Sequence, residues 1–137
     1  MKNDYLLVAG GLIIKKNKIL ICQRSLDNEH PLKWEFPGGK VKIQEEPQQA
    51  LKREINEELK ITIEYPIYLC EYIFEYQDLG KKVKLFFFLI REYSGEISNT
   101  VHNQLKWIEI KQLSDYDFLE GDNEIIKKIL KNDLKIY

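Results

Sequence analysis

One amphipathic helix set between two β-rich arms limits what this chain can fold into. Pro47 suits the first turn of a helix, and Leu51, Ile55 and Leu59 recur every four residues, which predicts a helix over 47–59 with a single buried stripe. Before it, residues 5–14 and 18–24 read as a hairpin around a Lys/Asn turn. Residues 25–33, with Pro31, read as a loop, and Trp34-Glu35-Phe36 alternate as a strand that Pro37 and two glycines end. After it, β-character runs from Ile61 to Tyr76, breaks at residues 77–80, and resumes over 83–90 and again over 105–110. Residues 123–134 carry Ile125, Ile126, Ile129, Leu130 and Leu134 in helical spacing, with Asp122 or Asn123 as the cap. Three strands, a helix, three strands and a helix predict one domain over residues 1–137, with a mixed sheet and helices on its faces, an α+β or α/β sandwich.

The helix carries too many carboxylates for a plain solvated face. At roughly 100° per residue, Glu54, Glu57 and Glu58 lie beside the buried stripe, whereas Lys52, Asn56 and Lys60 fall on the far side. Glu54 and Glu58 are like charges one turn apart, at a cost of roughly 0.2–0.5 kcal/mol, and Arg53 to Glu57 is the one local basic pairing, in the weaker orientation. Clustered oxygen donors without a paired lysine suit a hard divalent cation, Mg²⁺ or Mn²⁺. Helix geometry alone leaves open a helix that simply tolerates its charges. The preceding Gly38-Gly39 favours the cation, because glycine lets backbone approach a phosphate or metal closely.

Charge balance excludes other classes. With 21 basic and 22 acidic residues, no field of one sign recruits a nucleic-acid polymer or an anionic membrane. Cys22 and Cys70 sit singly in apolar runs, as core thiols rather than zinc or redox pairs. The apolar run Leu6 to Ile14 leads into Lys15-Lys16-Asn17-Lys18 with no small-residue cleavage site, and no run reaches the length of a membrane span, so a cytoplasmic protein is expected.

The stretch GGKVKIQEEPQQALKREINEELKI resembles the Nudix box, G-x5-E-x7-R-E-U-x-E-E-x-G-U with U aliphatic. It is matched by Gly39, Glu45, Arg53, Glu54, Ile55, Glu57, Glu58 and Ile61, eight of nine positions. The preceding WEFPGGK resembles the MutT-type subgroup of Nudix hydrolases. That resemblance implies an α/β/α sandwich over the whole chain and Mg²⁺- or Mn²⁺-dependent hydrolysis of a nucleoside triphosphate, 8-oxo-dGTP first, to monophosphate and pyrophosphate. It implies metal ligands at Glu54, Glu57, Glu58 and the Gly38 carbonyl, with Glu54 also deprotonating the attacking water. Arg53 and Glu45 brace that geometry. Glu35, Phe36, Pro37 and Gly38 belong to the substrate site, Arg24 contacts the nucleotide, and Asn123 reads the purine edge, with helix capping as the competing reading for Asn123. Phe36 and Phe86-Phe87-Phe88 offer a stacking wall, with plain core packing as the competing reading.

Three positions depart from the family pattern. Lys60 stands where a glycine ends the helix, which costs about 1–2 kcal/mol if that residue is left-handed. Gln44 stands where glycine is common, so the loop over 40–46 is expected to take another path. Members of the subgroup often carry a glutamate six residues before the tryptophan of the following strand; here that position is Val101, and the adjacent His102, as a lone loop histidine, is expected to be exposed and idle. Glu96 or Glu109 are the other candidates for that missing carboxylate. The missing glutamate favours, as an alternative, a CTP-like pyrimidine triphosphate as substrate. A non-catalytic Nudix-fold module that binds a nucleotide or lesion is the alternative of another class, and the intact glutamate set argues against it.

Overall fold

The computed structural model describes residues 5–136; the expected domain span of 1–137 runs at both ends outside the described residues. Strand β1 (Leu6–Lys15) is the centre of a seven-stranded mixed sheet with β2 (Lys18–Gln23), β3 (Trp34–Glu35), β4 (Gly38–Lys40), β6 (Ile67–Tyr76), β7 (Lys81–Ile90) and β9 (Gln104–Glu109). β1 runs parallel to β7 from Leu6↔Val83 to Ile13↔Ile90, and antiparallel to β4 and β2 along its two halves. β5 (Thr62–Glu64) and β8 (Glu92–Ser94) form a separate ribbon.

The two helices cover opposite faces, as an α/β/α sandwich requires. α1 (Pro47–Leu59) lays Ala50, Leu51, Ile55 and Leu59 on a core with Ala9, Ile13, Leu20, Phe88 and Ile90. α2 (Asn123–Leu130) puts Ile125, Ile126 and Ile129 on the other face, with Leu12, Ile21, Trp34, Leu85, Phe87 and Phe118. β7 explains the unbroken apolar run VKLFFFLI: Val83, Leu85, Phe87 and Leu89 face α2 while Phe88 and Ile90 face α1, so alternation disappears in a strand covered on both sides.

Several boundaries differ from the expected ones. The run 61–76 is two strands, because Tyr65 (φ 50) and Pro66 turn the chain between β5 and β6. Pro37 and the glycines do end β3, but Gly38–Lys40 pairs at once with Val8–Gly10 as β4. The last helix stops at Leu130 rather than Leu134, and Asn132 takes φ 60 two residues on, where a helix cannot continue. Asp122 occupies the cap position of α2 without a side-chain capping bond.

Candidate active site

The helix of carboxylates begins from a well-made corner. Glu46 caps α1 reciprocally with Gln49, Pro47 fills the first turn, and the Glu46 N–H donates to Gln49 Oε1 at 2.9 Å. At the other end Lys60 is left-handed (φ 62, ψ 27), the conformation a glycine would take without strain. Gln44 is also left-handed, at φ 66. Both departures from the motif therefore fall where positive φ explains the glycine. With Gln44 in that conformation the loop delivers Glu45 to its partner.

That partner is Arg53, whose guanidinium is the hub of the corner. Its Nε and Nη2 donate to the two oxygens of Glu45 at 2.8 and 3.0 Å, Nη2 also to the Lys40 carbonyl at 2.9 Å, and Nη1 to Glu54 Oε1 at 2.7 Å. Glu57 stands farther off, 3.5 Å from Nη1. The fork geometry suits arginine and not lysine. It holds the Glu45 carboxyl down at about 2, with help from the Lys42 N–H, and raises the Arg53 pKa further. β4 brings its glycines against the helix: a Cβ on Gly39 would run into the Glu54 carboxylate, and one on Gly38 (φ 151) into the Ala9 carbonyl.

Glu58 has no arginine partner; the nearest basic group to its Oε1 is His102 Nε2, 3.8 Å away, too far for a hydrogen bond. The Glu58 side chain turns inward, where burial, and after it the charges of Glu54 and Glu35, push its carboxyl up to about 8. Its Oε1 is buried without a hydrogen bond. A buried oxygen left unsatisfied among like charges is an expensive arrangement unless a cation joins it, so the donor set fits a divalent ion. Among the described residues, no group of three or more His, Cys, Asp or Glu side chains stands where it could hold a metal ion without rearranging; Glu54 leans on Arg53 and Glu57 is 58% exposed.

Glu54, Glu58, Gly38 and Gly39 border a cavity of about 620 Å³, whose walls also include Arg24, Glu35, Phe36, Phe87, Tyr76 and Asp122. Arg24 bonds Glu35 at 2.9 Å and the Glu29 carbonyl at 2.7 Å. Of the three consecutive phenylalanines only Phe87 lines the cavity. Pro37 is buried behind it, its carbonyl accepting from the Gly11 N–H at 2.8 Å.

Two sequence expectations fail here. Asn123 is exposed and lies off the cavity; its neighbour Asp122, 6% exposed, is the residue in the wall. One residue's difference on the 3₁₀ turn over 120–122 swings the side chain from solvent to cavity. Burial first, then the Glu35 charge, raises the Asp122 carboxyl well above its ordinary range, against a hydrogen bond from the Phe36 backbone. The only signal in the sequence was its standing as one of the two candidate caps of the last helix. His102 is not idle in solvent either: its side chain is 5% exposed and lines the cavity.

Fold and site define a class: an α/β/α sandwich with a helix-borne acidic site opening on a cleft of nucleotide size. The NUDIX domain family model matches residues 4–130. The chain is 37% identical to the 8-oxo-dGTP diphosphatase of Buchnera aphidicola (subspecies Schizaphis graminum) over 93% of this chain and 95% of that one. It is 28% identical to the CTP pyrophosphohydrolase of Escherichia coli over 90% of each. Among solved structures, the MutT NUDIX hydrolase of Burkholderia pseudomallei superposes with a TM-score of 0.84 at 25% identity, covering 93% of this chain and 99% of that one. The chain belongs to the Nudix hydrolase family.

Proposed function

We propose that this chain hydrolyses a purine nucleoside triphosphate oxidised on the base, 8-oxo-dGTP in the first instance, to the monophosphate and pyrophosphate. One observation carries the reading: the carboxylates of α1 and a cavity of about 620 Å³, with a buried polar wall at Asp122, are parts of one cleft. The 8-oxo-dGTP diphosphatase relative supports the choice of substrate.

In this reading Glu54, Glu57, Glu58 and the Gly38 carbonyl would hold a divalent cation, magnesium first, which supplies neutralisation of phosphate charge and activation of water. Arg53 keeps Glu54 in register, and Glu45 keeps Arg53 in register, so the carboxylate that takes the proton from water is fixed before substrate arrives. Arg24, already anchored by Glu35 and the Glu29 carbonyl, presents its charge to the nucleotide from the opposite wall. Phe36 and Phe87 exclude water around the base. Burial pushes the Asp122 carboxyl up toward its neutral form, and in that form it would offer one donor and one acceptor to the base edge, which is what pairing with two adjacent ring atoms needs. Asn123 is left with no part in base reading.

The test is pyrophosphate release across normal and oxidised nucleoside triphosphates with magnesium. Preference for 8-oxo-dGTP over dGTP supports the reading; equal turnover of every triphosphate overturns the substrate assignment. The similarity to a CTP pyrophosphohydrolase favours a second reading, a pyrimidine triphosphate as substrate, which the same panel separates. The α1 carboxylates, intact and with Glu54 and Glu58 facing the cleft, oppose a non-catalytic binding module.

A further inference from the structure

We propose that Tyr76 is a positioning residue for substrate choice: its hydroxyl, by accepting the Gly121 N–H, fixes the turn that aims Asp122 at the base. The inference rests on the reading of Asp122 as the contact to the base edge, and it adds a determinant of that contact from an edge strand of the sheet.

The segment that carries Asp122 is held from two sides. On one side Trp34 N donates to the Asp117 carbonyl and Leu119 N to the Trp34 carbonyl, both at 2.9 Å, and the Phe36 N–H reaches the Asp122 carboxylate itself. On the other side stands β6, which ends the strand order of the sheet. Tyr76, the last residue of β6, packs with Tyr72 against the α2-side core. Its ring reaches the 3₁₀ turn over 120–122, where Gly121 N donates to the hydroxyl at 3.1 Å. Among the described residues this is the one hydrogen bond of that hydroxyl.

Glycine is what lets the turn come so near. A Cβ at position 121 would stand 2.5 Å from Tyr76 Oη and 3.0 Å from Leu85 Cδ1, so no side chain fits between the turn and the phenol. The donor is the residue next to Asp122, and one step along the chain decides direction there: Asp122 lines the cavity and Asn123 is exposed. Gly121 is buried. A buried N–H stripped of its acceptor is costly, so without the phenol oxygen the turn gains by rotating its amide toward water, and Asp122 turns with it. The ring is fixed in its own place. His30 packs on it with 5.2 Å between centroids and Phe74 with 4.7 Å, and His30 Nε2 lies 2.9 Å from Asp78 Oδ2.

The experiment measures pyrophosphate release from 8-oxo-dGTP and from dGTP, with magnesium, for the full chain as wild type, Tyr76→Phe, Asp122→Ala and the double variant. Tyr76→Phe keeps the ring and removes only the oxygen. It should lower the preference for 8-oxo-dGTP, taken as the ratio of the two kcat/KM values, by about threefold to tenfold. The larger part of that loss should lie in KM, because the change is on β6 and leaves the α1 corner as it is. In the Asp122→Ala background the same change should lower the preference no further. By NMR, the Gly121 amide should exchange with deuterium about tenfold faster or more in Tyr76→Phe than in wild type. Its protection in wild type needs no variant, so a misfolded Tyr76→Phe does not shelter the proposal: a wild-type amide that exchanges as freely as an exposed one overturns it. Where Asp122→Ala loses preference, two results overturn the positioning role and leave the reading of Asp122 standing: an unchanged preference in Tyr76→Phe, or an equal loss in both backgrounds. An unchanged preference in Asp122→Ala overturns both.

Discussion

Lys60→Gly should raise the stability of this protein, by an amount that follows from one backbone angle. Lys60 is exposed and left-handed (φ 62, ψ 27) at the end of α1, and its N–H closes the helix onto the Asn56 carbonyl at 3.0 Å. A residue with a Cβ pays about 1–2 kcal/mol to stand there. Glycine gives back about 0.5–1 kcal/mol of that through the greater freedom of its unfolded chain. The net gain is about 0.5–1 kcal/mol. With an unfolding entropy of about 2.1 cal/mol/K per residue over 137 residues, the midpoint should rise by about 2–3 °C. Differential scanning calorimetry on Lys60→Gly and Lys60→Ala decides it, because alanine removes the same exposed side chain but keeps the Cβ. A gain for glycine with alanine within about 0.5 kcal/mol of wild type supports the reasoning. Equal midpoints for the two variants would refute it, since strain at φ would then not be the cause.

Gly39→Ala should leave the melting temperature within a few degrees of wild type and cut turnover sharply, since the added methyl displaces the Glu54 carboxylate rather than any core atom; unchanged kcat would show that the position of Glu54 is not critical. Phe87→Ala, at a site 1% exposed on the face of β7 that packs in the α2-side core, should cost about 3–5 kcal/mol in urea unfolding. Glu45 should remain ionised well below the usual carboxylate range when followed by carboxyl NMR, titrating near 2. Because its folded pKa is depressed, its pairing with Arg53 contributes stability above about 4.3, the unfolded value, that is lost as pH falls from there toward 2. Arg53→Lys, which breaks the fork, should bring that titration back toward 4.

The parts of this molecule governed by short-range pattern were legible in the chain. Leu51, Ile55 and Leu59 defined α1 to the residue, and the spacing of Gly39, Glu45, Arg53, Glu54, Glu57 and Glu58 matched a family the comparisons then showed. The positive φ at Gln44 and Lys60 accounts for the two missing glycines. What sequence did not disclose depends on contacts between distant segments. The parallel pairing of β1 with β7 joins residues more than 75 positions apart. The burial of His102 depends on Thr100 and Ser98 reaching the end of α1. Asp122 and Asn123 differ only in the direction a single 3₁₀ turn gives them, and both make good caps, so local propensity could not choose between them. The breaks at Tyr65 and Asn132 fall on left-handed residues other than glycine, and the turn signals beside them, Pro66 and Asn132-Asp133, sit inside runs whose apolar pattern continues past them.

Titration of the full chain with magnesium in the presence of a non-hydrolysable nucleotide, followed by calorimetry, reaches the centre of the account. Wild-type protein should show saturable binding of the cation, and the combined replacement of Glu54, Glu57 and Glu58 by glutamine should abolish it while the fold persists. Equal binding by the two proteins would mean that the row of carboxylates along α1 has some other purpose.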